Sequence, residues 1–206
     1  LYSMSQKTNN LYKVLSSPVI YSIFQKLMKG DKIRKKILTS NIKKKNPKIL
    51  DIGCGLGDSL EYIKNPLYFG YDISKEYIEY AKRKYKTKGI FVCRNFTQKE
   101  IKKLPKFDYI LLIGILHHLK DKQILNLLKL IKKTLKKDGR LITLDPIFSK
   151  NQNYLAKFLI SHDRGKNIKT KKEYLKLLKF FFKNSISKTY NQTFIPYTWF
   201  TMNCKN

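Results

Sequence analysis

Short apolar runs alternate with longer amphipathic segments through the middle of the chain. Buried strands are predicted at Lys48–Ile52, Tyr68–Tyr71, Gly89–Cys93, Phe107–Ile113 and Arg140–Leu144. Helices are predicted between them, at Ser59–Lys64, Lys75–Lys86 and Asp121–Lys137. Strands that alternate with helices predict βαβ units with right-handed crossovers, and therefore a parallel sheet covered on both faces.

The two ends of the chain carry different patterns. Two helices are predicted between about residues 10 and 42, the first ended by Gly30 and the second capped by Asp31. After the fifth strand, helices are predicted at 151–161 and 171–183. Two strands, at 187–194 and 198–204, then follow without a helix between them. This arrangement predicts an antiparallel hairpin at the edge of the sheet.

The composition is that of a folded protein with a strong positive charge. Of 206 residues, 42% are hydrophobic and 13% aromatic, while 44 Lys+Arg against 14 Asp+Glu give a formal charge of +30. Such a field attracts nucleic acid or an anionic membrane, but over-use of Lys, Asn, Ile, Tyr and Phe also indicates compositional bias. Only five residues are arginine. Because nucleic-acid sites favour arginine and the lysines are spread along the chain, we favour the bias.

Cysteine usage and hydropathy indicate a cellular compartment. Cys54, Cys93 and Cys204 are odd in number and lack the spacing of metal ligands, so neither a disulfide framework nor a bound metal is expected. No run approaches the roughly 18 apolar residues of a membrane helix, and no signal-peptide core is evident. We expect a cytoplasmic protein.

Chemistry-bearing residues follow the first predicted strand, in Asp51-Ile52-Gly53-Cys54-Gly55-Leu56-Gly57. Glycines let the chain turn tightly and let a ligand approach the backbone. A dinucleotide fingerprint would have glycine at position 58, where this chain has Asp58, and a carboxylate there repels a pyrophosphate. Asp51 suits a ligand that bears an ammonium group. The alternative is a glycine-rich turn without a ligand.

Asp72 ends the second predicted strand, 17 residues past Gly55. This is near the spacing at which an acidic residue accepts hydrogen bonds from a ribose, and both strand ends open onto the same edge of the sheet. The alternative is that Asp72 caps the helix that starts near Ser74.

Together these segments resemble the class I SAM-dependent methyltransferase family, in its small-molecule branch (type 11/25-like). Residues 50–57 are similar to its first motif, 71–74 to its second, 107–119 to its fourth-strand segment, and 135–141 to its turn into strand five. S-adenosylmethionine (SAM) fits the glycine segment because it has no phosphate and carries a sulfonium cation. The resemblance implies a doubly wound, Rossmann-like α/β sheet of seven strands, in the order 3-2-1-4-5-7-6 with strand 7 antiparallel.

We therefore expect one domain over residues 1–206. It comprises an N-terminal helical lid (1–44), a SAM-binding core (45–146), and substrate-side helices with the terminal hairpin (147–206). The family often has an acidic residue after strand 3 that binds the adenine amino group, and Asn95 and Phe96 take that place here. The expected cofactor-binding residues are Asp51, Gly53, Cys54, Gly55, Gly57, Asp72, Ile73, Asn95, Phe96 and Gly114.

Candidates for a general base lie where strands 4 and 5 end. Transfer from a sulfonium chiefly requires alignment, and a base is needed only if the acceptor must lose a proton. His118, His117 and Asp145 are the candidates, with His118 the first choice. The alternative is that one histidine packs in the core and the other caps the helix from Asp121.

Acceptor contacts are predicted in two further segments. The sequence Ser161-His162-Asp163-Arg164-Gly165 lies in the insertion after strand 5 and has the character of a substrate-facing loop. Arg164 suits an acceptor carboxylate or phosphate, although an Asp163–Arg164 surface pair is an equal alternative. Tyr21, in the lid, either covers the site or only packs.

The expected activity is methyl transfer from SAM to a small-molecule acceptor, with S-adenosylhomocysteine (SAH) as product. Nucleic acid is disfavoured as the acceptor because Gly114-Ile115-Leu116-His117 replaces the Asp/Asn-Pro-Pro-aromatic segment of amino-group DNA methyltransferases. The alternatives are a nicotinamide-dependent oxidoreductase and a membrane-peripheral methyltransferase of a lipid or lipid-linked sugar. The latter rests on the basic amphipathic segment 171–183. The oligomeric state is not predicted.

Overall fold

The computed structural model describes residues 30–150, 152–161, 165–191 and 197–206. The strands are β1 Lys48–Ile52, β2 Leu67–Asp72, β3 Ile90–Cys93, β4 Phe107–Ile113, β5 Leu135–Phe148, β6 Lys169–Thr170, β7 Ser185–Asn191 and β8 Thr198–Lys205. The α-helices are α1 Gly30–Asn41, α2 Lys75–Tyr85, α3 Gln98–Ile101, α4 Asp121–Thr134, α5 Tyr154–Ser161 and α6 Lys171–Lys179. Short 3₁₀ turns cover Asp58–Tyr62, Lys86–Lys88 and Leu116–His118.

The strands form one sheet in the order β3-β2-β1-β4-β5-β8-β7. The first five pair in parallel, whereas β8 runs antiparallel to both β5 and β7. The predicted order and the antiparallel last strand are confirmed. The two-residue β6 was not predicted; it pairs with the end of β5, outside the main order. The division into lid, core and substrate-side region stays a prediction.

The fifth strand is longer than predicted. It begins at Leu135, opposite Phe107, and the register shifts so that Tyr109 pairs with Arg140. Residues 136–139 bulge out between these two pairs. The prediction that the preceding helix runs to Lys137 is therefore wrong, because α4 ends at Thr134 and the buried Leu135 already belongs to the sheet. Asp31 lies inside the first turn of α1 and pairs with Arg34.

Two apolar clusters cover the two faces of the sheet. Leu50, Ile110 and Leu112 point into the cluster formed with α4 and α6. Their neighbours Ile49 and Leu111 point into the cluster formed with α1, α2 and α5. This alternation is the period of two expected of strands, and burial on both faces explains why β1 and β4 are almost wholly apolar.

Helix α6 packs its apolar side on the core. Tyr174, Leu177 and Leu178 are all buried against the sheet. Packing on the core therefore explains the apolar side of α6, while Phe180, just after the helix, is exposed. Within the described ranges, no helix has the length and apolar character needed to cross a bilayer.

Candidate active site

The glycine loop after β1 is hydrogen-bonded to the end of β2. The amides of Gly53 and Cys54 both donate to the Tyr71 carbonyl, at 2.7 and 3.0 Å. The Gly55 amide donates to Asp72 Oδ2 at 2.9 Å, and the Gly57 amide closes the turn on Cys54 O at 2.9 Å. The loop and the second motif thus form one unit at the carboxyl edge of the sheet.

Two positions in this loop require glycine for different reasons. Gly53 has φ +71°, and a Cβ there would lie 1.9 Å from Ile115 Cδ1, so the loop touches the turn after β4. Gly55 has φ +55°, but among the described residues no atom beyond its two chain neighbours lies within 4 Å of its Cβ position. Gly53 is therefore required for close packing, whereas Gly55 borders open space that a ligand can occupy.

Asp72 is hydrogen-bonded to the glycine loop and to the start of α2. Its carboxylate accepts the Gly55 amide and the Ser74 amide, each at 2.9 Å. Burial raises the pKa of Asp72 above its ordinary value, although these backbone hydrogen bonds oppose the rise. The cap of α2 is Ser74, whose Oγ accepts the Tyr77 amide at 3.2 Å, so Asp72 is not the cap. Ile73 is exposed beside it.

Asp51 and Cys54 lie beneath the loop. The Tyr68 hydroxyl donates to Asp51 Oδ2 at 2.6 Å. Burial raises the pKa of Asp51 to about 6, and hydrogen bonds from Tyr68 and Ser59 limit the rise. Cys54 is also buried, and its Sγ lies 2.9 Å from the Cβ position of Gly70. Its side chain therefore packs on β2, and its backbone amide shapes the loop.

Asp58 differs from its predicted role. Its carboxylate accepts hydrogen bonds from Lys84 at 3.0 Å and from the Tyr85 hydroxyl at 3.2 Å, and Arg34 lies 3.6 Å away. The charge of Asp58 is thus balanced by α1 and α2. The argument that Asp58 repels a pyrophosphate is therefore weak, and the ligand class must be decided on other grounds.

A histidine–aspartate pair lies where β4 and β5 end. His117 Nδ1 lies 2.8 Å from Asp145 Oδ1, and the His117 amide donates to the same oxygen at 3.2 Å. Asp145 is fully buried. Burial raises the pKa of Asp145, and the hydrogen bonds from His117 oppose the rise. Within the described residues, the buried Asp145 Oδ2 has no hydrogen-bond partner, although the nearby Leu116 amide also helps to lower the pKa of Asp145.

The two neighbouring histidines have different surroundings. The ring of His118 lies 4.1 Å from that of His117, centroid to centroid, and both side chains are buried. His117, rather than the first-choice His118, contacts Asp145. The predicted alternative that one histidine caps α4 is wrong, because Lys120 occupies the N-cap.

The pair adjoins the glycine loop through a short series of contacts. Gly53 is packed against Ile115. The amide of Gly114 donates to Leu144 O at 2.7 Å, joining the ends of β4 and β5. The Cβ position of Gly114 lies 3.8 Å from His117 Cε1. The carboxyl edge therefore holds both the open loop and the polar pair.

The insertion before β6 packs on the histidine turn. A Cβ on Gly165 would lie 2.1 Å from His117 Cδ2, so only glycine fits there. The Asn167 amide donates to His117 O at 2.9 Å. The buried Lys169 donates to Leu119 O at 3.2 Å and pairs with Asp121 at the same distance. Asn167 and Lys169 were missed because nothing in their sequence context indicates these carbonyl partners.

The remaining predicted site residues either follow β3 or lie outside the described residues. Phe96 is buried with its ring edge-on to Tyr71, at 5.6 Å, and Asn95 is half-buried after β3. Their roles at an adenine stay predictions. His162, Asp163, Arg164, Tyr21 and the first helix of the lid lie outside the described residues.

The opposite, amino edge of the sheet carries a cavity of about 350 Å³. Asp108, on its wall, accepts hydrogen bonds from Lys44 at 2.6 Å, from Lys136 at 2.8 Å and from the Lys48 amide at 2.8 Å. Burial by itself raises the pKa of Asp108, but the bonds from Lys136 and Lys44 lower it to about 2. This cavity lies at the far end of the strands from the glycine loop and is not part of the candidate active site.

Comparison with known families and structures identifies the class of protein. A methyltransferase domain family matches residues 43–195, which is most of the chain, so the chain belongs to that family. The predicted class, a SAM-dependent methyltransferase, is confirmed, and so is its cofactor, S-adenosylmethionine. The alternative of a nicotinamide-dependent oxidoreductase is thereby overturned. No curated protein matches the chain in sequence.

Solved structures similar to this chain share its fold. A SAM-dependent methyltransferase from Archaeoglobus fulgidus superposes with a TM-score of 0.69 at 16% identity, over 90% of this chain and 99% of that one. The plantazolicin methyltransferase BpumL, in complex with a monoazolic desmethylPZN analogue and SAH, gives 0.64 at 20% identity, over 95% and 92%. The mitomycin 7-O-methyltransferase MmcR gives 0.66 at 15% identity, over 95% of this chain and 60% of that one.

Proposed function

We propose that this methyltransferase acts in the cytosol on a small-molecule acceptor that loses a proton as it is methylated, with His117 as the general base. The observation that carries the proposal is the His117–Asp145 pair, which lies beside the glycine loop at the carboxyl edge of the sheet. The cytosolic location is supported by Cys54, Cys93 and Cys204, which are all free thiols.

The glycine loop fits the cofactor of the family. Gly55 borders open space, and Asp72 is held beneath it by two backbone amides, so its carboxylate faces the loop in a fixed orientation. Such a carboxylate accepts hydrogen bonds from ribose hydroxyls. Bound SAM supplies a methyl group activated by its sulfonium. The chain's own residues must then orient the acceptor, exclude water and remove a proton.

His117 is arranged to take that proton. Because Nδ1 donates to Asp145, Nε2 is the ring nitrogen that can accept a proton from an acceptor hydroxyl or amine. Asp145 holds the ring and stabilises the imidazolium that forms. The backbone of Gly165 and the ring of His118 cover His117 on other sides, which limits access of water to the proton transfer.

The acceptor class is supported by the similar structures. Two of them are a methyltransferase of plantazolicin and a 7-O-methyltransferase of mitomycin. We extend to this chain only what they share, an acceptor that is not a nucleic acid. His162, Asp163 and Arg164 remain the proposed acceptor contacts because the adjoining Gly165 packs directly on His117. Tyr21 remains a proposed contact on sequence grounds alone.

The alternative function, a membrane-peripheral methyltransferase of a lipid or lipid-linked sugar, rested on the basic amphipathic segment 171–183. Helix α6 buries the apolar side of that segment on the core, which removes this support.

The test separates cofactor binding from proton transfer. Calorimetry with SAH on wild type, Asp72→Ala and His117→Ala, with NADH as a control ligand, reports the cofactor site. We expect SAH to bind wild type and His117→Ala equally and Asp72→Ala weakly. Methyl transfer from SAM to a panel of hydroxyl and amine acceptors then reports the base.

For any acceptor that is methylated, His117→Ala should lower kcat by roughly 10²–10⁴-fold and remove the acid limb of the kcat–pH profile. His118→Ala serves as the companion variant because His118 is the alternative base. If His118→Ala loses activity and His117→Ala retains it, the assignment of the base is wrong. Binding of NADH in place of SAH would overturn the whole proposal.

A further inference from the structure

Three consecutive backbone carbonyls after β4 accept hydrogen bonds from one short segment that ends in β6. The Asn167 amide donates to His117 O at 2.9 Å, and Asn167 Nδ2 donates to His118 O at 3.4 Å. Lys169 Nζ donates to Leu119 O at 3.2 Å. These carbonyls belong to the 3₁₀ turn that carries the proposed base and to the residue after it. The segment therefore fixes the backbone of the histidine turn.

Lys169 is the buried cation of this segment, with 8% of its surface exposed. Its ammonium group has three donors, and three oxygens surround it: Leu119 O at 3.2 Å, Asn167 O at 3.1 Å and Asp121 Oδ1 at 3.2 Å. Burial of an ammonium group is costly unless its donors are paired, so these oxygens hold Nζ in one place. Because the Asp121 side chain is 67% exposed, solvent weakens that ion pair, and the two carbonyls are the main partners.

The same segment also contacts the strand that carries Asp145. In the parallel pairing of β6 with β5, Lys169 lies opposite Ile147 and the next residue lies opposite Phe148. Ile147 follows Asp145 by two residues. One segment thus joins the histidine turn to the end of β5. These are the two backbones that set the distance of 2.8 Å between His117 Nδ1 and Asp145 Oδ1.

The start of the segment also borders the His117 ring. A Cβ on Gly165 would lie 2.1 Å from His117 Cδ2, and one on Gly114 would lie 3.8 Å from His117 Cε1. Both of these ring carbons are bonded to Nε2. The two glycines therefore flank the nitrogen that an acceptor proton must reach, and a shift of the segment would move the ring and narrow the approach to it.

We propose that Lys169 is a positioning residue for methyl transfer, an assignment that rests on the proposed role of His117 as the base. Lys169 holds the histidine turn through Leu119 O, so that Nδ1 of His117 keeps its hydrogen bond to Asp145 and Nε2 faces the acceptor. Displacement of a reacting group by about 1 Å costs roughly 10²-fold in rate. A cation that fixes the turn therefore controls turnover without contact with the acceptor.

The first test observes His117 without any acceptor. Proton NMR of the SAH-bound protein detects the Nδ1-bound proton of His117, identified by its loss in His117→Ala. Lys169→Met keeps an apolar stem and removes the ammonium group, and it should speed exchange of this proton with water roughly tenfold, because the turn opens more often. Asp121→Asn is the control, since it removes only the exposed ion pair; its exchange rate should equal that of wild type.

The second test measures turnover. For any acceptor that is methylated, Lys169→Met should lower kcat roughly 10–100-fold and leave the Kd of SAH within about twofold of wild type. Asp108→Ala, which removes stabilising contacts at the opposite edge of the sheet, controls for loss of stability and should keep its kcat.

Gly165→Ala disturbs the same segment from its other end without removing a charge. This variant should give the same two changes, faster exchange of the His117 proton and a lower kcat, with normal SAH binding. It keeps the test decisive if Lys169→Met does not fold.

A Lys169→Met protein with a wild-type kcat, or with wild-type exchange of the His117 proton, would overturn the proposal, since Lys169 would then only stabilise the fold. An equal loss of kcat in Asp108→Ala would also overturn it, because general destabilisation would explain the effect. If His117→Ala itself keeps its activity, the proposed base is wrong. If His117→Ala loses activity while Lys169→Met and Gly165→Ala keep theirs, the role of Lys169 fails alone.

Discussion

The two edges of the sheet both hold buried carboxylates, but in opposite electrostatic surroundings. At the amino edge, Asp108 receives two lysine ammonium groups and one amide, and the pKa of Asp108 falls to about 2. At the carboxyl edge, burial raises the pKa values of Asp51, Asp72 and Asp145, and no lysine or arginine forms an ion pair with them in the described chain. The chain has 44 Lys+Arg against 14 Asp+Glu, so the difference reflects where these side chains are placed and not how many there are.

This difference distinguishes a structural site from a functional one. A carboxylate surrounded by donors stabilises the fold and has little left for a ligand. A desolvated carboxylate costs stability, and that cost is tolerated where a ligand or a proton-transfer partner completes the site. Asp145 is the clearest instance, because its buried Oδ2 has no hydrogen-bond partner among the residues that the structure describes. Substitutions at the two edges should therefore affect different measurements.

The largest expected effect is on turnover. Asp145→Asn should lower kcat by about 10²-fold or more, because an amide can donate to Nδ1 and so favour the wrong tautomer of His117. SAH affinity should stay within about twofold of wild type. Asp108→Asn, at the other edge, should leave kcat unchanged. Steady-state kinetics on both variants measures kcat. An equal loss of kcat in Asp145→Asn and Asp108→Asn would show that the His117–Asp145 pair acts only through stability.

The next largest effect is expected in how the stability of wild type and of Asp51→Asn depends on pH. Because the pKa of Asp51 is raised to about 6, the folded state holds this proton more tightly than the unfolded state. Ionisation of Asp51 therefore lowers the free energy of unfolding as pH rises from about 4 to about 6, by up to about 3 kcal/mol. Urea denaturation at pH 4, 5, 6 and 8 should show this decline in wild type relative to Asp51→Asn. A constant difference between the two proteins would contradict it.

Cofactor affinity should be the next most sensitive quantity. Asp72→Ala removes the acceptor of the Gly55 amide and the predicted ribose partner, and should raise the Kd of SAH by roughly 10–100-fold. Asp108→Ala is the control at the opposite edge and should bind SAH normally. Isothermal titration of both variants makes the comparison; an unchanged Kd for Asp72→Ala would remove Asp72 from the binding site.

The smallest effect is expected at the amino edge. Asp108→Ala should cost about 1–2 kcal/mol of unfolding free energy at neutral pH, a modest value since Lys44 and Lys136 are partly exposed. Since the pKa of Asp108 is lowered, this advantage of wild type is present above about pH 4 and is lost as pH falls through about 2. Chemical denaturation at pH 7 and pH 2 measures it, and an advantage that persists at pH 2 would show that ionisation is not its source.

The sheet was predictable because periodicity and turn residues agree along most of it. Residues 107–113 form β4 with the predicted bounds, since an unbroken apolar run buried on both faces has no competing interpretation. The glycine segment and Asp72 were likewise predicted to converge, because both follow parallel strands at the same edge. β6 and the start of β5 were not predicted. Lys136-Lys137-Asp138-Gly139 has the composition of a turn, but in the structure it bulges within β5, where Lys136 donates to Asp108.

The candidate residues of the polar pair came from the sequence, but their pairing did not. His117, His118 and Asp145 were all named, yet only the packed structure shows that His117 is the partner of Asp145. Adjacent histidines after a strand are equivalent in a sequence pattern, and the choice between them depends on the 3₁₀ turn Leu116–His118. The sequence also singled out the amphipathic segment 171–183, but its pattern could not show that the apolar side of α6 is covered by the core.

The position of β8 between β5 and β7 imposes an order of assembly. β7 precedes β8 in the chain, and in the described sheet its strand partner is β8. During synthesis, β7 therefore emerges before β8, the strand that joins it to β5. Contacts between β8 and β5 span about 60 residues of sequence, so their pairing is a long-range and slow step. For a chain growing on a ribosome, the edge of β5 stays unpaired until β8 has been made, and in that interval chaperones can bind the incomplete sheet.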